Sequence, residues 1–259
     1  MKKISRNTIL LVSDIVKTAG KLLLDCIDCE HTYTDKEDGS FATEADYKSE
    51  KYLKENLSKI VPEASFLAEE SGQTGKDSAE YTWVIDPLDG TTNFAHGFPY
   101  FAVSVALVYK NEPIIGVIYN PIAEELFWSG KGLGAFLNDK PIKISQEKDL
   151  SRALSSIAVP YRKVDCDDFF SLTDTLEHNV YSFRKLGCAA LDMAAVASGR
   201  LDGAVLKFVS WWDIAAGIVL VREAGGIVSE FDKEAIGSGF STCLASNGWL
   251  HKDFQRLLS

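Results

Sequence analysis

The chain has no apolar stretch long enough to span a bilayer, no internal repeat, no low-complexity tract and no block of positive charge. Its amino terminus, "MKKISRNTILLVSDIV", opens with two lysines, but the apolar run 9–12 stops at Ser13 and Asp14, too short for a signal-peptide core. Lys and Arg number 27 against 37 Asp and Glu, a net charge of −10 over 259 residues. That balance offers no basic surface for nucleic acid or an anionic membrane, and suits a site that concentrates cations. The five cysteines, Cys26, Cys29, Cys166, Cys188 and Cys243, are odd in number and scattered, which excludes a disulfide framework and predicts reduced thiols in a cytoplasmic protein. Cys26 and Cys29, with His31 nearby, have metal or redox spacing but no second pair, and are read as packing. The four histidines form no H-E-x-x-H and there is no G-x-S-x-G, so a zinc peptidase and a serine hydrolase both lack their parts.

What is present is ample core material, 46% hydrophobic residues, in a pattern that changes along the chain. Apolar positions Ile4, Leu11, Ile15, Ala19 and Leu22 predict one opening helix over 4–28. A second helix is expected from about Thr43, with Leu53, Leu57 and Ile60 buried and Pro62 just past its end. From 81 to 128 the runs "YTWVI", the alternating "FAVSVALVY", "PIIGVIY" and "ELFW" read as strands. Beyond 150 strands and helices alternate: "LSSIAV", helices near 168–177 and 189–199, "LDGAVL", a helix from Asp213, "GIVSEF", "TCLAS" and a short closing helix. The reading is an α/β (α+β) protein with an α+β half over 1–150 and an α/β half over 151–259.

Two glycine-rich stretches imitate nucleotide sites. Gly72 to Asp77 has Glu70 where a P-loop needs glycine and Asp77 where it needs Ser or Thr. The glycines at 130–134 follow a strand as in a dinucleotide fingerprint, but "FLNDKPIKIS" stands where the helix should begin, which leaves an oxidoreductase as a weak rival.

The stretch "WVIDPLDGTTNF" is different. Pro87 removes an amide donor and holds Asp86 extended, and a turn directly after it would bring Asp86 and Asp89 together. Two facing carboxylates repel unless a cation lies between them, and all-oxygen ligation favours Mg2+. Glu69, Glu70, Asp213 and Asp46 are the further acids in reach of such a site. Each has an ordinary alternative: a solvated edge for Glu69 and Glu70, a helix N-cap for Asp213, and half of a capping box with Thr43 for Asp46.

"DGSFATEAD" (38–46), "AEES" (68–71), "WVIDPLDGTTNFAH" (83–96), "GCAALDMAAVASGRLDG" (187–203) and "WDIAAGIVLVREAGG" (212–226) together resemble the inositol monophosphatase family, of the Mg2+-dependent, lithium-sensitive phosphatase superfamily that also holds fructose-bisphosphatases. The resemblance implies a layered αβαβα sandwich, a homodimer, and a small phosphate ester as substrate. It implies that Glu69, Asp86 and the Leu88 carbonyl hold one Mg2+ and that Asp86, Asp89 and Asp213 hold another, with Asp86 bridging. Ala68 departs from the family's usual glycine before the glutamate. The resemblance also implies that Thr91, bonded to Asp46, orients the attacking water, that the Gly90 and Thr91 amides cradle the phosphate, and that Gly187, Ala189 and Asp213 meet the substrate. Glu70 is expected to support, not to ligate. Lithium inhibition follows from the same resemblance.

Substrate choice is where the chain leaves the family pattern. Inositol-specific members place a glutamate seven residues before the aspartate of W-D, and here that position is Leu206. Lys207 points away in a regular strand, and inward only if a bulge precedes "SWWD". The expected activity is hydrolysis of inositol 1-phosphate or a similar polyol or sugar phosphate. Histidinol phosphate or a bisphosphate is the alternative, and a regulatory protein that keeps the fold without catalysis is the alternative of another class.

Overall fold

The protein's structure, a computed structural model, describes residues 5–27, 33–36, 40–76, 78–159, 166–236, 240 and 242–258. Cys29, His31, Asp77 and Ile4 lie outside them. Helix α1 (Arg6–Leu24) begins at Ser5, whose hydroxyl accepts from the Thr8 amide. Its buried stripe is Ile9, Val12, Val16, Ala19 and Leu23, one step round from the expected one, and Leu11 is 57% exposed. The reason is that α1 packs on both a helix and a sheet, so the apolar face is set by two neighbours.

A small pair, β1 (Tyr33–Asp35) and β2 (Phe41–Thr43), leads into α2 (Glu44–Leu57). Thr43 and Asp46 form a reciprocal capping box there; Leu53 and Leu57 are buried, and Ile60 falls beyond the helix end. Next come β3 (Ser65–Ala68), β4 (Gly72–Thr74), β5 (Tyr81–Asp89), the short helix α3 (Thr91–Ala95), β6 (Ala102–Tyr109), β7 (Glu112–Asn120), β8 (Glu125–Gly130), β9 (Gly134–Leu137) and β10 (Lys140–Ile142). These strands form one sheet in the order β10-β9-β8-β7-β6-β5-β3-β4, antiparallel except where β3 lies parallel to β5. The glycines at 130–134 turn the β8–β9 hairpin, and the amides of Gly132 and Gly134 donate to the Glu223 carboxylate at 2.8 and 2.9 Å. A side chain of this same chain takes the place the dinucleotide reading gave to a phosphate.

The second sheet contains β11 (Leu154–Ala158), β12 (Ser182–Arg184), β13 (Gly203–Lys207), β14 (Ile227–Ser229) and β15 (Thr242–Ser246), ordered β12-β11-β13-β15-β14. Helices α4 (Cys166–Asn179), α5 (Ala189–Ala197), α6 (Trp211–Glu223) and α7 (His251–Leu258), with a single 3-10 turn over Leu150–Arg152, complete the described elements. The layers follow from which helices are apolar all round. α5 and α6 are almost wholly buried and lie between the two sheets, whereas α1 and α2 cover the outer face of the first sheet and α4 and α7 that of the second. This is an αβαβα sandwich. Because β6 and β7 are covered on both faces, they read as continuous apolar runs and not as an alternation.

Small residues let the middle layer sit close. A Cβ built on Gly116 of β7 would stand 2.3 Å from the carbonyl oxygen of Ala216 in α6, so the glycine is what permits backbone to meet backbone. Asp202 ties the loop after β10 to the second sheet: its carboxylate accepts from the Ser145 hydroxyl and, at 2.7 Å, from the Leu154 amide.

Candidate active site

Strand β5 does not end at Asp86; it runs through Pro87 to Asp89. Asp86 pairs with Ser104 and Asp89 with Ala102, so β5 advances three residues while β6 advances two. One residue is therefore bulged out beside the proline, which has no amide to give the ladder. The bulge has a geometric result. Residues three apart on a regular strand point to opposite faces, but with one residue extruded Asp86 and Asp89 are returned to the same face. The expected turn is thus a bulge within the strand, and it does the same work. The Leu88 amide donates to Asp86 Oδ1 at 3.0 Å, and the Ser49 hydroxyl of α2 donates to the Pro87 carbonyl at 2.9 Å, which pins the bulge from behind.

Three other elements bring acids to this face. Ala68 of β3 pairs with Ile85, and the Glu69 amide donates to the Ile85 carbonyl at 3.1 Å, so Glu69 leaves the sheet beside Asp86. Asp213 is not the N-cap of α6; Ser210 is, and Asp213 three residues later accepts from the Ser210 amide at 2.6 Å. Asp46, fully buried in the first turn of α2, accepts from the Thr43 amide and hydroxyl at 2.7 and 2.6 Å. Thr91 Oγ1 lies 3.2 Å from Asp46 Oδ1 and 3.0 Å from the Leu88 carbonyl, and its single proton serves one of them at a time. Gly90 starts α3 at φ 91°, and a Cβ there would stand 3.1 and 3.2 Å from the Tyr100 and Gly187 carbonyl oxygens.

The electrostatics record how closely these acids are held. Burial pushes Asp86 well above the usual carboxylate range, and Glu69, Asp89 and Asp213 push it further. Asp213 is raised by burial, then by Asp89 and Glu69. Asp89 is raised by burial to about 6 even though the Ala190 amide of α5, at 2.6 Å, and the Cys188 thiol, at 3.2 Å, donate to its Oδ2. Burial likewise raises Asp46. Lys36 is the cation at the edge of the cluster, 2.7 Å from both Glu69 Oε1 and Glu70 Oε1. Burial works against its ammonium, but the two glutamates outweigh it and hold it above an ordinary lysine. Burial also drives Glu70 up to about 7 against the pull of Lys36. The Glu70 amide donates to Glu50 Oε2 at 3.0 Å, which makes the second glutamate part of the scaffold.

Among the described residues no group of three or more His, Cys, Asp or Glu side chains is arranged as a ready metal cage. One oxygen each of Glu69, Asp86, Asp89 and Asp213 is tied to a neighbouring donor instead. The chemistry of the set nonetheless fits a hard divalent cation: oxygen donors alone, buried together, with more negative charge than Lys36 can balance. Glu69, Asp86, Asp89, Asp213 and the Leu88 carbonyl are the groups that would hold Mg2+.

A pH dependence follows. A carboxylate raised in the folded state binds protons at pH values where the unfolded chain has lost them, so stability falls as pH rises from about 4. For Asp89 that loss is complete only above about 6. A cation that pairs with the ionised acids offsets the loss. The increase in Tm on adding saturating Mg2+ is therefore expected to be larger at pH 8 than at pH 5, by calorimetry. An increment that is flat or shrinks toward pH 8 would remove the acids from cation binding.

A cavity of about 140 Å3 opens on Asp89 and Asp213, with Gly187, Cys188 and Ala189 along one side. Asp46, Glu69, Asp86, Leu88, Asp89, Gly90 and Thr91 thus lie together at one end of the first sheet, beside Gly187, Ala189 and Asp213 at the starts of α5 and α6. Leu206 is fully buried in the core of the middle layer. Lys207 stays in regular register opposite Thr242, with no bulge, and its ammonium lies 2.8 Å from Asp168 of α4. It does not turn inward. Lys36, Lys185 and Phe208 were not anticipated; the partners of Lys36 lie 33 and 34 residues away, and nothing in its own surroundings announces them.

The profile of the inositol monophosphatase family matches residues 7–258. Over 222 residues the chain is 41% identical to an inositol-1-monophosphatase of Synechocystis sp., an alignment covering 85% of this chain and 77% of that protein. Over 199 residues it is 41% identical to a protein of Pasteurella multocida named Nus factor SuhB, covering 76% and 74%. The solved inositol monophosphatase of Anabaena (Nostoc) sp. superposes with a TM-score of 0.88 at 36% identity, covering 98% of this chain and 95% of that one. Matched along its length in sequence and in all five layers of its fold, the chain belongs to the inositol monophosphatase family, a family of phosphatases.

Proposed function

We propose that this protein is a Mg2+-dependent phosphomonoesterase acting on a small phosphorylated metabolite, with the face shared by β5, α2 and α6 as its catalytic centre. The observation that carries the reading is the set of four carboxylates, Glu69, Asp86, Asp89 and Asp213, crowded beside a cavity that can admit a phosphate ester. When bound, Mg2+ ions supply a more acidic water and a counter-charge for the phosphoryl and leaving oxygens. The chain's own residues do the rest. Thr91, set between Asp46 and the Leu88 carbonyl, takes a proton from the attacking water as it gives its own hydroxyl proton to the Asp46 carboxylate, so that the hydroxyl is regenerated and Asp46 ends protonated. The backbone amides of Gly90 and Thr91, at the left-handed start of α3, receive the phosphate. The first turns of α5 and α6, through Ala189 and Asp213, face the alcohol part of the ester.

The homodimer belongs to the same proposal and is tested by light scattering. No helix among the described residues is long and apolar enough to cross a membrane. Several relatives are named as Nus factors and not as enzymes, so a non-catalytic role is the rival of another class. Release of inorganic phosphate from glycerol 2-phosphate separates the two. Turnover with Mg2+, loss of turnover in chelator and inhibition by LiCl are the expected results. No release at any Mg2+ concentration would overturn the catalytic reading.

A further inference from the structure

Three carbonyl oxygens from two distant parts of the chain converge beside Gly90. Those of Tyr100 and Gly187 would stand 3.1 and 3.2 Å from a Cβ on Gly90, and that of Leu186 is the next along. Carbonyl oxygens repel one another, and away from water each needs a donor. Asn93 of α3 supplies it. Its Nδ2 donates to the Tyr100 carbonyl at 2.7 Å and to the Leu186 carbonyl at 2.8 Å, and lies 3.5 Å from the Gly187 carbonyl. The amide nitrogen has two protons, and these bonds occupy both. The Asn93 carbonyl accepts in turn from the Phe98 amide at 2.8 Å, which fixes the backbone that carries the side chain. One residue thus joins α3 to the loop before β6 and to the loop before α5.

The loop before α5 leads directly into the site. Gly187, Cys188 and Ala189 line the cavity together with Lys185 and Phe208. The Ala190 amide and the Cys188 thiol donate to Asp89 Oδ2 at 2.6 and 3.2 Å, and so help to set how the Asp89 carboxylate is turned. α5 has no side-chain cap at Cys188, so its start takes its place from contacts outside the helix. Asn93 makes one of these at Leu186. Tyr100, held by Asn93 at its carbonyl, makes another: its hydroxyl donates to Asp192 Oδ1, in the first turn of α5, at 3.1 Å.

We infer that Asn93 is a positioning residue of the catalytic centre. By gripping the Leu186 and Tyr100 carbonyls it keeps residues 186–190 where Ala190 and Cys188 orient Asp89 for cation binding, and where Gly187, Cys188 and Ala189 form the cavity wall. Asn93 is not itself on that wall, and its amide is engaged by carbonyls, so it acts through Asp89 and the loop. The inference rests on the phosphatase reading and adds to it a residue that no pattern of acids marks.

Two variants test it. Asn93→Leu keeps the approximate volume and removes both donors. Asn93→Ser is too short to reach the carbonyls but leaves room for water to meet them, and is the variant expected to fold if Asn93→Leu does not. The readouts are the Mg2+ dissociation constant, by titration calorimetry without substrate, and kcat and KM for glycerol 2-phosphate at saturating Mg2+. Removing a direct partner of a metal-binding group commonly costs roughly 10–100-fold in affinity, and Asn93 acts one link further out, so Mg2+ binding should weaken about tenfold in Asn93→Leu and about threefold in Asn93→Ser. KM should rise about fivefold with kcat within about twofold of the wild type. The reason for the split is that Thr91 and Asp46 are bonded to each other and to Leu88 and Thr43, not to Asn93. Gly132→Ala, which loses stability away from these loops, should leave Mg2+ affinity and KM as they are in the wild type. Mg2+ affinity and KM both within about twofold of the wild type in a folded Asn93 variant would make Asn93 a residue of the fold alone and overturn the inference, as would failure of both variants to fold. A wild type that binds Mg2+ but hydrolyses no glycerol 2-phosphate overturns the phosphatase reading and this inference with it.

Discussion

Asp86→Asn is expected to lower kcat/KM for a phosphomonoester by about a thousandfold or more, roughly 4 kcal/mol of transition-state stabilisation. Asp86 is the acid on which Glu69, Asp89 and Asp213 all act, so neutralising it weakens every cation position in the cluster at once. The same change should have the opposite sign on the metal-free protein. Asn is close in shape, keeps an acceptor for the Leu88 amide and removes a buried charge from a repelling group, so Tm in chelator should rise. Mg2+ should then add little further stability. Activity near the wild-type rate at limiting Mg2+, or a lower Tm in chelator together with an undiminished gain from Mg2+, would show that Asp86 is not the shared group.

The second large effect belongs to Gly116. Gly116→Ala places a methyl group 2.3 Å from the Ala216 carbonyl oxygen and 3.0 Å from its carbon, and both are backbone atoms that cannot rotate away. Either β7 or α6 must shift, and α6 carries Asp213 in its first turn. A loss of about 3–5 kcal/mol is expected, or failure to fold, with a fall in activity larger than the fraction unfolded explains. Gly132→Ala is the comparison. Its Cβ meets nothing within 4 Å, and only the positive φ of 79° opposes it, so about 1 kcal/mol should be lost. Urea denaturation of both decides the point: a Gly116 variant no less stable than the Gly132 variant would mean that the sheet and the helix are not in backbone contact.

How far these features can be read from sequence depends on how local their causes are. The capping box of Thr43 and Asp46 spans four residues, and its pattern is visible in "TEAD". The continuation of β5 past Pro87 is not visible, because the extra residue is defined only against β6, whose partners Ser104 and Ala102 lie 18 and 13 residues on. The same is true of the glycines at 130–134, which resemble a phosphate loop until Glu223 arrives from 91 and 89 residues away. Lys207 was directed correctly by strand alternation alone, but its partner Asp168 belongs to another layer. The family likeness groups Glu69, Asp86, Asp89 and Asp213; the reason the grouping exists, a bulge and a helix start facing one another, is a matter of tertiary packing that no local pattern carries.

The order in which the layers are made has a consequence for the newborn chain. The first sheet is complete at residue 142, but α6, which covers its inner face at Val84, Ala106, Ile118 and Phe127, begins at residue 211. At 5–20 residues per second the intervening 211 − 142 = 69 residues take roughly 3–14 s to synthesise. For that interval the ribosome carries a broad apolar surface with nothing of its own to close it, long after the amino-terminal helices have sealed the other side. A chain cut at residue 150 would keep that surface permanently and should aggregate, and in the cell the burden of guarding it falls on chaperones that bind extended apolar chains.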